Sequence, residues 1–434
     1  MSLFFLFLFS LFAFVAQAQI PANETFEYVN SGEFGPYIQE YDASYRVLDL
    51  FTSPFQLLFY NTTPNDFTLA LRMGLRRSES SYHWVWEANR GNPVGENATF
   101  TLGTNGNIVL ADGDGRVAWQ SNTANKGAVH FELLSTGNMV LYNSKGKPIW
   151  QSFDSPTDTL VVGQSLGAGA ASKLVSRASE TENKDGTYSL VLEPKGLALY
   201  YNSKNSPKPL LYYTTSKRFG LPKGSSLHRI TLNAAAVEEG HAYDLSLEYQ
   251  LGNSTSSGNL ILARPKYNST STCLRLGIDG NLNLYTYDKN LRYGAWETTF
   301  TLFDKESGVS ENGCELPERC GKFGLCENNQ CVGCPSSKGI LGWSESCEPE
   351  KLTSCGSKSF RYYKIEGVDH FLSKYTSGEA LKELDCSNKC ALDCKCLGFF
   401  YNRDESRCWI AHELKTLTKV DKSSHVGFIK APNR

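Results

Sequence analysis

Two blocks of this chain recur at a fixed offset of 31 residues. Gly106-Asn107-Ile108-Val109-Leu110 and Trp119-Gln120-Ser121 return as Gly137-Asn138-Met139-Val140-Leu141 and Trp150-Gln151-Ser152, with no gap between the copies. A third copy, Gly280-Asn281-Leu282-Asn283-Leu284-Tyr285, lies far downstream, with Trp296 after it. Each copy alternates, so Ile108 and Leu110, Met139 and Leu141, and Leu282 and Leu284 fall on one side of a strand. Asn107, Val109 and Ala111 and their counterparts fall on the other. Turn chemistry follows each: Asp112-Gly113-Asp114-Gly115, Asn143-Ser144-Lys145-Gly146, then Tyr287-Asp288-Lys289-Asn290. One such hairpin cannot bury its apolar face alone, so several must close around a shared core, with the Trp as filler. A short echo, Gly258-Asn259-Leu260-Ile261-Leu262, reads as part of a later hairpin.

The rest of the chain sets the compartment. Residues 1–18 form an apolar run ending Ala16-Gln17-Ala18, which reads as a secretory signal peptide. No later stretch approaches the length of a membrane span. Asn23, Asn61, Asn97, Asn253 and Asn268 open Asn-x-Ser/Thr sites, so they are expected to carry glycans on the surface. Twelve of the 13 cysteines lie from Cys314 onward, which in a secreted chain reads as a disulfide framework rather than a zinc site. Cys273 stands apart, and the odd count leaves it as a buried free thiol. A net charge of −2 gives no reason to expect nucleic acid or an anionic membrane as a partner.

Residues 31–46 read as an irregular leading segment. Phe55 to Met73 alternates as two strands, and Trp84-Val85-Trp86-Glu87-Ala88-Asn89-Arg90-Gly91-Asn92-Pro93-Val94 follows. After the repeats comes Trp150-Gln151-Ser152-Phe153-Asp154-Ser155-Pro156-Thr157-Asp158-Thr159-Leu160. These two blocks resemble the bulb-type (curculin-like) mannose-binding lectin family. The leading segment is similar to the plant epidermis-specific secreted glycoprotein subgroup, related to S-locus glycoproteins. Cys320-Gly321-x-Phe323-Gly324-x-Cys326 resembles the EGF-like module of those relatives. Cys386-x3-Cys390-x3-Cys394-x-Cys396 with Cys408-Trp409 resembles a PAN (apple) domain.

The resemblance implies a mainly β chain: two tandem β-prism units, a small disulfide-rich EGF-like module, then a C-terminal α+β PAN domain. The expected boundaries are a leading segment at 19–47, prisms at 48–165 and 170–305, the module at 314–347 and the PAN domain at 355–432. The PAN helix is expected to open at Ser377–Leu384. The resemblance also implies disulfides Cys386–Cys408 and Cys390–Cys396. Cys314–Cys326 is expected beside them, with Cys320 paired to Cys331 or Cys334.

Function follows from the strand faces. The family's sugar motif is Gln-x-Asp-x-Asn-x-Val-x-Tyr, whose five named positions share one face of a strand. Copy one reads Gly103, Asn105, Asn107, Val109, Ala111; copy two reads Leu134, Thr136, Asn138, Val140, Tyr142; copy three reads Gly277, Asp279, Asn281, Asn283, Tyr285. All lack the Gln. Copy three keeps the most polar positions, Asp279, Asn281 and Tyr285, and is expected to be the best site. The chain is expected to bind mannose-type glycans or glycoproteins of the plant cell wall weakly, without metal or cofactor. The rival reading is a sugar-blind wall glycoprotein that binds a protein partner through its PAN module. Asp112-Gly113-Asp114-Gly115 is too short a match for a calcium loop, since Thr123 stands where a bidentate Glu is needed. None of the seven histidines sits in a known catalytic motif, and a non-enzyme is expected.

Overall fold

The computed structural model describes residues 19–433 except 38, 75–82, 168–170, 218–219, 235–242, 264–270, 292, 294, 306–309, 353 and 355–358. The signal-peptide reading of 1–18 and the sequon at Asn268 lie outside the described residues. Of the remaining sequons, Asn23, Asn97 and Asn253 are exposed and Asn61 is half-buried.

Two β-prisms dominate. In the first, one sheet carries Phe26–Val29, Thr99–Leu102, Ile108–Ala111 and Val117–Gln120 in that order. A second carries Ser44–Thr52, Phe55–Asn61, Thr68–Met73 and His83–Glu87, and a third Ala128–Leu133, Met139–Asn143 and Pro148–Gln151. Copies one and two are the middle strands of two different sheets. Their inward residues Ile108, Leu110, Met139 and Leu141 are at most 2% exposed, each such burial contributing roughly 1.5–3 kcal/mol.

Trp86, Trp119 and Trp150 come from the three sheets and meet edge to face, with ring centres 5.8 and 5.7 Å apart. The Trp is indeed core filler. Leu110 pairs with Trp119, Leu141 with Trp150 and Leu71 with Trp86. The second sheet is therefore a further copy whose sequence no longer advertises it, because Trp86 lies 15 residues beyond Leu71 rather than nine.

The Gly of each copy has a steric cause. Gly106, Gly137 and Gly280 all have φ between +75 and +86°. A Cβ there would stand 2.6 Å from the Ala128 Cβ, 2.7 Å from the Phe55 ring and 2.5 Å from the Tyr188 ring respectively. Each turn is thus pressed against another sheet of its own prism, and only Gly fits.

The second prism has sheets built on Lys173–Arg177 to Leu210–Thr214, on Ser225–Ala234 to Ser254–Ala263, and on Ser271–Leu276 to Trp296–Thr301. The boundaries differ from expectation in three places. Phe26–Val29 pairs with Thr99–Leu102, so the leading segment is part of the first prism. Thr159–Val161 pairs with Ser271–Leu276, and Ser165–Gly167 with Ser225–Ala234, so residues expected to close the first prism complete the second. Edge strands this short have no periodicity of their own, which is why their allegiance is invisible locally.

The echo at 258–262 lies in a hairpin as expected, on the strand Ser254–Ala263 paired with Tyr243–Leu251. One repeat assignment is corrected. Trp296 does not fill the second core: Phe300 stands opposite Leu284 in the Trp position. Trp296 packs instead against His83 of the first prism, ring centres 4.4 Å apart.

The cysteine-rich segment and the C-terminal unit share a sheet, ordered Gly339–Leu341, Gln330–Ser336, Phe323–Glu327, Lys415–Lys419, Val368–His370. Division into separate modules at 314–347 and 355–432 therefore does not describe their pairing. Cys314–Cys326, Cys320–Cys331 and Cys334–Cys347 are bonded, as are Cys386–Cys408 and Cys390–Cys396. The last two tie helix Glu383–Leu392 to its surroundings through Cys386 and Cys390, one turn apart on its buried face. That helix starts later than expected, because Gly378 has φ +61° and Glu379–Ala380 pairs with Arg407–Cys408. A short helix, Phe371–Tyr375, was not anticipated; it packs on the second prism, with Tyr375 5.7 Å from Tyr213.

Candidate glycan-binding faces

The central Asn of every copy is engaged by the fold. Asn107 donates through Nδ2 to Gln120 Oε1 at 2.9 Å, and its Oδ1 accepts from Ser121 Oγ and the Thr123 N–H. Asn138 donates to Gln151 Oε1 at 3.0 Å and accepts from Ser152 Oγ and the Phe153 N–H. Asn281 donates to the Phe303 carbonyl and accepts from the N–H groups of Leu282 and Phe303. All three side chains clamp the far strand of their own hairpin, as buried polar groups must be paired. They are 6–7% exposed and have little left for a sugar.

The expectation that copy three is the best site is corrected. The outer face of its sheet carries Arg275, Asn283, Cys273 and Tyr285, and the first prism lies against it. Tyr285 packs on His83, ring centres 4.7 Å apart. Arg275, 4% exposed, binds Glu40 and the Trp84 carbonyl across the junction. Burial alone would raise the Glu40 carboxyl, but Arg275 and His83 beside it bring it down to about 2. Asp279 stays exposed, yet its Oδ1 already accepts the Asn281 N–H at 2.9 Å.

Copy two is partly closed. Val140, expected to meet a sugar ring, is 1% exposed. Thr136 is exposed, and Tyr142 is half-buried with its ring stacked 6.3 Å from His130.

Copy one is the open face. Glu27, Thr101, Val109 and Gln120 stand in one row across four strands. Glu27 and Gln120 are exposed, Thr101 and Val109 half-buried. A parallel row runs Val29, Thr99, Ala111, Val117. Asn105 at the strand's start is exposed and accepts the Asn107 N–H at 3.0 Å. The row offers a carboxylate, a hydroxyl and an amide around one apolar contact, the mix that sugar hydroxyls and ring faces require. Sequence reading named Asn105, Asn107 and Val109 but missed Glu27, Thr101 and Gln120, which come from neighbouring strands and could be found only through register.

The motif blocks meet at the prism junction. Arg90 donates to Asp158 Oδ2 at 2.8 Å, to Glu87 Oε2 at 2.6 Å and to the Val175 carbonyl at 2.9 Å. Burial would lower the Arg90 pKa, but Glu87 and Asp158 hold it above its ordinary value. Arg177 of the second prism donates to the Tyr60 hydroxyl, which in turn donates to Glu87.

Gly163-Gln164-Ser165-Leu166-Gly167 has the spacing of a nucleophile elbow. Ser165 begins a strand, its hydroxyl meets Thr231 Oγ1 at 2.8 Å, and the next described element is another strand, Lys173–Arg177. An elbow requires a strand–turn–helix, so this string has the spacing without the context.

Paired prisms built from three-sheet repeats with outward strand faces define a lectin-type β-prism protein. The description "D-mannose binding lectin" matches residues 83–180. EP1-like glycoprotein 3 of Arabidopsis thaliana is 49% identical over 429 residues, 98% of this chain and 96% of the relative. The epidermis-specific secreted glycoprotein EP1 of Daucus carota is 60% identical over 363 residues, 80% of this chain and 92% of the relative. A G-type lectin S-receptor-like serine/threonine-protein kinase of Arabidopsis thaliana, SD2-5, is 27% identical over 81% of this chain but only 40% of its own length. The chain belongs to the EP1-like glycoprotein family.

Proposed function

We propose that this chain is a secreted glycoprotein of the plant cell wall or apoplast that binds mannose-type glycans weakly through the copy-one face. The observation that carries the reading is the row Glu27, Thr101, Val109, Gln120, with its one half-exposed Val among three polar groups. A single shallow face of this kind holds a monosaccharide no better than about millimolar, because the contact area is small. Clustered glycans raise the effective affinity by avidity. The test is retention on a dense mannose surface, competed by free mannose but not galactose. Glu27→Ala with Gln120→Ala should reduce retention about fivefold or more, at roughly 1 kcal/mol per lost hydrogen bond. Unchanged retention by that folded variant would remove the face from consideration.

A second reading is favoured by the engagement of Asn107, Asn138 and Asn281 within the fold. In it the prisms are scaffold and the PAN-like C-terminal unit binds a protein partner. Absence of any retention by the parent protein would select it.

A further inference from the structure

A cavity lies in the C-terminal unit, outside every repeat copy. It encloses about 490 Å³ and opens between helix Phe371–Tyr375 and the strands Gly398–Asn402, Arg407–Ala411 and His425–Pro432. That volume is in the range that encloses a small organic ligand, roughly two sugar rings.

Strand register builds its polar wall. Asn402 pairs with Arg407 on one side and His425 on the other, so guanidinium, amide and imidazole form a row. Asp369 fixes the imidazole, Oδ1 to Nδ1 at 2.6 Å. Asn402 Oδ1 accepts the N–H groups of Asp404 and Glu405, so its Nδ2 donors are the atoms left for a ligand. Arg407 is half-buried and forms no ion pair among the described residues. Two residues along the same strand face stands Trp409, whose indole N–H is held by Thr376 Oγ1 at 3.0 Å. That bond presets the ring before any ligand arrives, so little is lost in ordering it.

Charge decides the ligand class. Among the described lining residues, Lys217, Lys374 and Arg407 face Glu315, Asp369 and Glu405, three cations against three carboxylates. Lys374 is already paired to Glu315 at 2.6 Å. A balanced wall rewards neither a polyanion nor a polycation. It suits a neutral molecule with many hydroxyls, which can donate to carboxylates and accept from the guanidinium and amide, with a preset aromatic face beside them. We propose that this groove binds a short neutral oligosaccharide, independently of the prism faces. One chain then carries two glycan sites on different domains and can bridge two strands of a glycan network.

The test is calorimetric titration of the full glycosylated chain with neutral gluco-, manno- and xylo-oligosaccharides of two to four rings, with galacturonate oligomers as the charged control. At least one neutral series should bind saturably. Arg407→Ala should weaken it fivefold or more, and Lys145→Ala, an exposed turn residue outside both proposed sites, should leave it unchanged. Trp409→Phe, which keeps a ring but loses the indole N–H, should weaken it as well and guards against a misfolded Arg407 variant. No binding by any neutral oligomer, tighter binding by galacturonates, or undiminished binding by folded Arg407→Ala would each overturn the proposal. Failure of the prism-face reading registers separately, as mannose-surface retention indifferent to Glu27→Ala with Gln120→Ala.

Discussion

Arg90 Nη2 stands 2.8 Å from Asp158 Oδ2, with both side chains less than a tenth exposed. The contact joins the Trp-x-Ala-Asn-Arg block to the Trp-Gln-Ser-Phe-Asp block, 68 residues apart in the chain. Val175, whose carbonyl Arg90 also binds, lies in the second prism. The two blocks that carry the family resemblance most clearly are therefore a fastener between prisms rather than a sugar site.

Removing that fastener should be costly. Arg90→Ala leaves Asp158 buried without its cation and Glu87 with only Arg177, 3.6 Å away, an arrangement that costs about 3–5 kcal/mol. Denaturant unfolding should show the loss as a fall in midpoint. Arg90→Lys should recover only part of it, since a single ammonium cannot reproduce the forked contact with two carboxylates and a carbonyl. A midpoint equal to the parent's in Arg90→Ala would refute the role.

Acid should loosen the same junction through Glu40. Its folded value, about 2, lies below the ordinary 4.5, despite burial, because Arg275 and His83 hold the anion. A depressed carboxyl contributes stability that is complete above its unfolded value and lost as pH falls through the folded one. The window is thus pH 4.5 down to 2, and the amount is roughly 3 kcal/mol. Glu40→Gln should flatten the stability–pH curve in that window. An unaltered slope would show that other groups govern it.

The three repeat Asn should behave as structural residues. Asn281→Ala strands the buried N–H groups of Leu282 and Phe303, which should cost about 1–3 kcal/mol. The corresponding change at Asn107 or Asn138 should cost a similar amount. Thermal melts test this, and a variant with unchanged midpoint would return that Asn to the list of free ligands.

Cys273 should be chemically silent in the native state. It is 0% exposed and unpaired, and burial pushes its thiol up to about 12. A thiol reagent at pH 8 should label less than one group per chain until denaturant is added, and then one, because the thiolate is the reactive form. Prompt labelling of native protein would contradict the burial.

Much of the fold was legible in the chain. A 31-residue offset with alternating apolar positions fixes which side of a strand Ile108, Leu110, Met139 and Leu141 occupy, and the Gly and Trp at set places fix turn and core. These are local consequences of a two-residue period and of left-handed glycine turns. The second sheet leaves no repeat signal because its longer Leu71–Trp86 spacing breaks the offset.

Alternation settles which side chains leave the core but not what the outer face meets. Tyr285 and Val109 hold the same outward orientation in their copies; one is covered by His83 and the other stays open. The difference arises because residues 159–167 cross to the second prism and draw the two units together around Arg90, Arg177 and Arg275. Likewise Glu27, Thr101 and Gln120 become neighbours of Val109 only through strand register. The repeat thus determined the prism and its candidate faces. Which faces remain open was decided by long-range strand exchange and buried ion pairing, whose partners lie up to 235 residues apart and leave no periodic trace.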